Sequence, residues 1–371
     1  MEIIILKSNL KNGLAIIGKI GSENLTLPIL KNCLIETFDN KLKISATNLE
    51  MAVSSYISAK IIKDGEITIP LNIFSSIINN LQNERINIES KNTNLKIITE
   101  NYNAKIQGIK KEEFPIIPKI ENKTEFIEIE NSILREAILS VINASQLIGT
   151  KLELNGILFD FQIGFLKLAA TDSFRLAEKT IDEKNYKTNF NKKIKNIIPL
   201  KTLHELIRIL PDNNNKITIY FDENQVLFKT EEFELISRII NGDFPDYEAI
   251  IPKKTTTEIS VQKEQLINAI KLTGSFSDRL NEIKIIIKDG AKNLEIFSSN
   301  PTLGENQYLI PAKIKGGSMD IVFNWKFLLD GIRNIDSESI FLGLNGDNKP
   351  VIIKTNSNAD YFYILMPIKS E

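Results

Sequence analysis

Ile44-Ser45-Ala46-Thr47-Asn48, Leu168-Ala169-Ala170-Thr171-Asp172 and Ile296-Phe297-Ser298-Ser299-Asn300 are three versions of one phrase. Each is an apolar strand pattern that closes on a hydroxyl residue followed by Asn or Asp. The copies stand 124 and then 128 residues apart. Two other markers keep the same step. Ile69-Pro70-Leu71-Asn72 returns as Ile198-Pro199-Leu200-Lys201, and Val322-Phe323-Asn324-Trp325 opens a third, proline-free helical pattern. Glu113-Phe114-Pro115 returns as Asp243-Phe244-Pro245. Markers in one order at one long period predict three tandem domains rather than the short repeats of a solenoid. The boundaries expected are 1–124, 125–255 and 256–371, with Pro/Lys/Thr-rich linkers at Pro118–Thr124 and Pro252–Thr257.

Each third reads as the same α+β unit. A strand leads into a helical pattern at Asn9–Ile20, Asn131–Ala144 and Gln262–Thr273. In the second, Ile133, Leu134, Ala137, Ile138, Val141 and Ile142 share one stripe, and Ser132 is placed to cap it. Paired strands follow: Leu34–Phe38 with Lys41–Ala46 around the turn signal Asp39-Asn40, Gly156–Phe161 with Phe165–Ala170, and Ile283–Lys288 with Asn293–Phe297. Second helices are expected at Leu71–Leu81, Leu200–Leu210 and Asn324–Ile335. Strands such as Lys216–Phe221, Gln225–Thr230 and Phe233–Ile240 close the unit. Two helices on one sheet face is the economical packing.

Composition narrows the class. With 371 residues, 42% apolar and 25% charged, neither disorder nor a membrane protein is expected. No apolar run reaches the roughly 18 residues of a membrane span. Met1–Lys7 reads as a strand and not as a signal peptide. A single cysteine, Cys33, forbids an internal disulfide and fits a reducing cytoplasm. The net charge of −1 does not exclude nucleic acid, because binding responds to the field of one face.

Catalytic chemistry is missing from the pattern. Asp172 resembles a catalytic acid only until its counterparts are read, for Asn48 and Asn300 cannot act as general bases. An Asx turn at the end of a strand accounts for all three. His204 is the only histidine and has no spaced partner ligand. Cys33 lies in an apolar strand, where a thiol is usually buried and inert. Glu112-Glu113 and Glu231-Glu232 fall at turns, and Gly316-Gly317 lacks the neighbours of a phosphate-binding loop. No metal site, no cofactor and no enzymatic activity are expected.

Longer motifs now carry a resemblance. Thr26-Leu27-Pro28-Ile29-Leu30, Ala46–Met51, Leu154–Phe159, Ala170–Ala177, Phe244–Tyr247 and Met366-Pro367-Ile368 resemble, in order and spacing, motifs of the bacterial DNA polymerase III beta subunit, the DNA sliding clamp family. The resemblance implies the DNA clamp fold, in which a head-to-tail homodimer closes six similar domains into a ring around duplex DNA. It implies a cytoplasmic, non-catalytic processivity factor whose partners are the replicative polymerase catalytic subunit, the clamp loader, and other polymerases and repair proteins. These would dock through a peptide groove between the second and third domains. Carried over by motif, its lining is Leu154, Thr171, Ser173, Phe174, Arg175, Leu176, Pro245, Ile250, Asn324, Phe327, Pro350, Ile364, Met366, Pro367 and Ile368. Ser173 and Phe174 replace the Gly and His of a familiar version. Thr171, Arg175 and the C-terminal backbone are expected to orient a Gln or acidic group.

Candidate DNA contacts are Lys11, Lys151, Lys201 and Arg208, with Asn24 where clamps often carry Arg. The dimer interface is expected to bring Ala104 and Ile106 of one chain to Ser275 and Phe276 of the other. Two rival readings are an α+β hydrolase using Asp172, Arg175 and His204, and a multidomain scaffold that binds proteins but not DNA.

Overall fold

A computed structural model describes the chain except for residues 19, 21–26, 122, 146–150, 289, 357–359 and 370–371. The described chain forms two compact units. The first holds residues 1–132, 186–190 and 204–239, and the second holds 133–185, 191–203 and 240–371.

In the first unit, the strand Glu2–Leu6 runs into helix α1, Lys7–Ile17. Leu10, Leu14 and Ile17 are its buried stripe. A second helix, α2, covers Leu71–Asn80 and buries Leu71, Phe74 and Ile78. The hairpin Asn32–Phe38/Lys41–Thr47 turns at Asp39 and Asn40, whose φ values of 48° and 56° are those of the two-residue turn that suits twisted strands. A five-stranded antiparallel sheet has the spatial order 60–63, 2–6, 85–91, 94–98, 103–107, so Asn103–Gln107 is an edge. A nine-stranded sheet crosses a repeat boundary. Phe233–Arg238 pairs antiparallel with Met51–Ser58, with Ile236 opposite Ala52. Strands of the first and second thirds thus share one ladder.

The second unit repeats this device. Its twelve-stranded sheet joins the second third to the last through Arg175–Asp182 and Tyr361–Leu365, with Leu176 opposite Ile364. Helices α5, Lys263–Gly274, and α6, Trp325–Arg333, pack together within it. Gly331 of α6 lies against the Tyr363 ring, where an added Cβ would sit 2.3 Å from the nearest ring carbon. Only glycine permits that approach.

The intervening helices α3, Asn131–Ile142, and α4, Leu200–Ile209, have residues in both units. Leu134, Ala137, Ile138 and Val141 are fully buried on α3, as the stripe requires. Ser132 does not cap this helix. The helix begins one residue earlier, and the amides of Asn131 and Ser132 donate to the carbonyls of Asn215 and Asn213. Long-range backbone acceptors replace the local side-chain cap.

Candidate functional site

The groove residues begin at the turn joining strands Phe165–Thr171 and Arg175–Asp182. Asp172 Oδ1 accepts the amides of Phe174 and Arg175, both at 3.0 Å. Thr171 Oγ1 donates to the Arg175 carbonyl at 2.7 Å and accepts the Ser173 amide at 3.2 Å. This is the Asx turn expected from the repeat, and it assigns Asp172 a structural role. Ser173 pays for the tight geometry with a φ of +77°, a region that favours glycine. The turn lifts Phe174 into solvent, 62% exposed.

Arg175 points the other way. Its Nε donates to Asp172 Oδ2 at 2.9 Å, one Nη donates to Asp330 Oδ2 at 2.6 Å, and the guanidinium lies 3.9 Å from the Phe327 ring centroid. Burial opposes its charge, but Tyr363, Asp172 and Asp330 outweigh this and hold its pKa above the ordinary value. Thr171 and Arg175, the side chains expected to orient a ligand, thus also make contacts inside the frame. The Thr171 hydroxyl proton goes to the Arg175 carbonyl, and two of the five guanidinium N–H donors go to Asp172 and Asp330.

Beneath the turn lies an apolar floor. Leu176, Ile364, Leu158, Ala169, Ile197 and Tyr247 form one buried cluster, against which Phe244 and Ile251 pack. The Tyr247 hydroxyl donates to Glu178 at 2.6 Å, and burial foremost drives the Tyr247 pKa far upward. Pro245 and Ile250 belong to the same linker and are exposed. On the other side, the Met366 amide donates to the Phe174 carbonyl and the Ile368 amide to that of Val322. These bonds hold Met366, Pro367 and Ile368 half-buried beside the turn. Val351 stands opposite Leu365, which brings Pro350 level with Met366. Asn324 caps α6 through the amides of Lys326 and Phe327. Leu154, 2% exposed, ends the short turn Leu152–Leu154 and contributes core rather than surface. Next to this floor is a cavity of about 570 Å³ bordered by Asp160, Lys167, Lys195 and Tyr247. Asp330, Tyr247 and Glu178, which brace the candidate groove from beneath, are absent from the groove residues expected from sequence. The Phe244–Tyr247 motif was the available signal for Tyr247, whereas Asp330 and Glu178 carry no local signal.

Comparison with known proteins follows the repeat. Residues 1–118, 128–246 and 248–369 match, in turn, the N-terminal, central and C-terminal domains of the DNA polymerase III beta subunit. The chain belongs to the DNA polymerase III beta subunit family. It is 27% identical to the beta sliding clamp of Bacillus subtilis over the whole of both chains. The crystal structure of the sliding clamp from that organism superposes with a TM-score of 0.94 at 26% identity, covering both chains fully. A Pseudomonas aeruginosa clamp solved bound to griselimycin gives 0.93 at 25%, again over both chains. The function is that of a sliding clamp, a non-catalytic processivity subunit of DNA polymerase III.

In this beta subunit the proposed DNA contacts separate into two kinds. Lys11, Lys151 and Lys201 are exposed and form no ion pair among the described residues. Arg208 is spent elsewhere. It donates to the carbonyls of Ala15 and Ile16 at 2.7 and 2.6 Å and clasps Glu205, tying α4 to the C-terminal end of α1. Asn24 lies outside the described residues. His204 is exposed, and Cys33 is fully buried with its thiol pushed up to about 12, chiefly by desolvation. Among the described residues no cluster of His, Cys, Asp and Glu is arranged to hold a metal, and no helix is long and apolar enough to cross a membrane.

Of the expected interface residues, Ala104 is half-buried on the edge strand, but Ile106 is only 5% exposed and faces its own core. Its contribution would have to come through the backbone. Ser275 is exposed and Phe276 half-buried just after α5. Sequence reasoning missed another edge. Within Gly304–Lys315, residues 304–311 pair with Asn293–Asn300 and only 312–315 pair with Thr257–Gln262. Residues 304–309 have no second strand partner among the described residues, and Tyr308 and Leu309 on them are exposed on opposite faces.

Proposed function

We propose that two copies associate head to tail and close a ring of six domains, bounded at 1–124, 125–255 and 256–371, around duplex DNA in the cytoplasm. Two open strand edges support this reading: Asn103–Gln107 in the first unit and 304–309 in the second. An unpaired edge is a template for another chain, and a contact between unlike edges closes when the rotation per copy divides the circle. Ala104, Phe276, Tyr308 and Leu309 would flank the joint. Lys11, Lys151 and Lys201 would attract phosphate without reading sequence, and enclosure would do the holding.

The groove around Phe174, Leu176 and Met366 is proposed to take a peptide from the polymerase catalytic subunit, the clamp loader, and other polymerases and repair proteins. The observation that carries this is an exposed Phe174 beside half-buried Met366-Pro367-Ile368 over an apolar floor. Such a rim accepts Leu and Phe anchors. Thr171, Arg175 and the C-terminal backbone would orient a Gln or acidic group of the peptide.

Retention on DNA tests the ring. Protein loaded on a nicked circle should survive salt that breaks ordinary phosphate contacts, and linearising the circle should release it by sliding. Phosphate attraction alone loses both forms together, because every contact carries a counterion penalty. Equal retention on linear and circular DNA would favour the scaffold reading, in which proteins bind but DNA is not enclosed.

A further inference from the structure

The groove frame of the second unit occurs a second time, in the first unit. Asn48 Oδ1 accepts the amides of Glu50 and Met51 at 3.0 and 2.9 Å, as Asp172 does for Phe174 and Arg175. Thr47 Oγ1 donates to the Met51 carbonyl at 2.9 Å and accepts the Leu49 amide at 3.1 Å. Leu49 has a φ of +75°, against +77° for Ser173. The Arg238 amide donates to the Glu50 carbonyl at 3.1 Å, where Met366 donates to Phe174 at 2.8 Å. The linker reproduces its place as well. Ile120, Ala52, Leu227 and Ile236 form a buried cluster, with Ile117 packed against it.

We propose that this first unit carries a second docking groove, over the turn Thr47–Ala52, for an extended segment of a partner protein with apolar side chains flanked by carboxylates. Two cavities meet at Ala52, Pro118 and Ile236. One, of about 230 Å³, runs past Leu49, Met51, Ile116 and Arg238. The other, of about 360 Å³, runs past Phe38, Tyr56, Lys41, Lys119 and Lys123. Leu49 is 48% exposed and Ile116 94%, so two large apolar side chains stand in water at the mouth of the first. An exposed apolar pair over a preformed hollow is what an anchoring side chain would cover.

Charge sets the remaining chemistry. Lys43 and Lys229 are paired with Glu36 and Glu234 at 3.1 and 2.8 Å. Arg238, Lys41, Lys119 and Lys123 have no ion pair among the described residues, and the carboxylates left over on the lining are Asp39, Glu50 and Glu231. Arg238 and Glu50 balance at the smaller cavity, while Lys41, Lys119 and Lys123 outnumber Asp39 and Glu231 at the larger one, so the lining as a whole keeps an excess of cations. An acidic segment is therefore favoured over a basic one, with salt weakening its hold. The groove of the second unit differs: Arg175 is buried in an ion-pair network, and on the adjoining cavity Lys167, Lys193 and Lys195 face the carboxylates Asp160, Asp243, Asp246 and Glu248. The two grooves thus share a backbone and differ in preference.

The test uses the full-length chain and a fluorescein-labelled peptide, Glu-Leu-Asp-Leu-Phe-Glu-Asp, with stoichiometry read by titration calorimetry and affinity by anisotropy. Two peptides should bind per chain. Met366→Asp should remove one, and Leu49→Asp with Ile116→Asp should remove the other; Leu49 and Ile116 are exposed and Met366 is half-buried. Lys119→Glu with Lys123→Glu should weaken only the first-unit site, by about five-fold or more, and added salt should mimic it. One peptide per chain, lost entirely in Met366→Asp, overturns the second groove, as does the absence of binding at about 1 mM peptide. If instead the Leu49/Ile116 variant loses all binding and Met366→Asp loses none, the second groove stands and the peptide reading of the second unit falls.

Discussion

The turns Thr47–Ala52 and Thr171–Leu176 have one backbone and two interiors. Both use a hydroxyl, an Asx side chain and a left-handed third residue to join adjacent strands. They diverge at the fifth position. Met51 is buried as an apolar residue, whereas Arg175 is buried as a cation held by Asp172 and Asp330 beneath the Phe327 ring. The Asx residue follows the change: Asn48 accepts amides only, while Asp172 also binds the guanidinium. A third copy keeps the local chemistry alone, with Asn300 Oδ1 accepting the amides of Thr302 and Leu303. Backbone hydrogen bonding is thus the repeated element, and the side chain beneath it is free to specialise.

The largest expected effect comes from transplanting one interior into the other. Arg175→Met alone leaves the Asp172 carboxylate, 1% exposed, without its cation. Breaking a buried pair from one side costs about 3–5 kcal/mol, so the urea midpoint of the second unit should fall sharply. Arg175→Met with Asp172→Asn rebuilds the first unit's combination and should recover most of that loss. A double variant as unstable as the single one would mean that Asp330 and Phe327, not the turn, dominate the site.

A smaller contrast should appear in acid. In the first unit, burial opposes ionisation of Glu36, but Lys43 and Lys111 outweigh it and lower its pKa. Glu234 behaves alike, with burial offset by Lys229 and the Tyr56 hydroxyl. A lowered folded pKa means stability present above the unfolded value of about 4.3 and lost as pH falls through the folded one. Strands of the first unit around these residues should therefore lose hydrogen-exchange protection as pH drops below about 4.3. Lys111→Met should blunt that loss, shifting the acid-side melting temperature by about 2–4 °C per kcal/mol removed. Protection that declines equally in Lys111→Met and the unaltered chain would remove Glu36 from the acid response.

Local features were legible in the sequence because their causes are local. The Asp39-Asn40 turn, the three Asx turns and the helical stripes each depend on residues a few positions apart. Helix ends shifted by up to three residues, as where Asn9–Ile20 became Lys7–Ile17. What escaped the reading was set by distant partners. Nothing near Phe233 signals that it will stand opposite Ser55, and nothing near Arg175 signals Leu365. Arg208 looked free because its acceptors, the carbonyls of Ala15 and Ile16, belong to every residue and leave no mark in sequence. Ser132 lost its capping role for the same reason. Of the groove, the apolar rim was visible, but the engagement of Thr171 and Arg175 was not.

The smallest effect returns to the left-handed third residue of the two turns. A non-glycine residue there costs about 1–2 kcal/mol in backbone strain, while glycine gives back part of that through the entropy of the unfolded chain. Ser173→Gly and Leu49→Gly should each stabilise their unit by about 0.5–1 kcal/mol. The two gains should agree if the backbone alone sets them, since φ is +77° and +75°. A comparison by denaturant midpoint separates the turn from its side chain. If Leu49→Gly gains less than Ser173→Gly, the shortfall measures what the half-exposed leucine contributes by covering the hollow beside Met51. Should Ser173→Gly lower stability, the left-handed strain is not what that residue carries, and the likeness of the two turns would end at their hydrogen bonds.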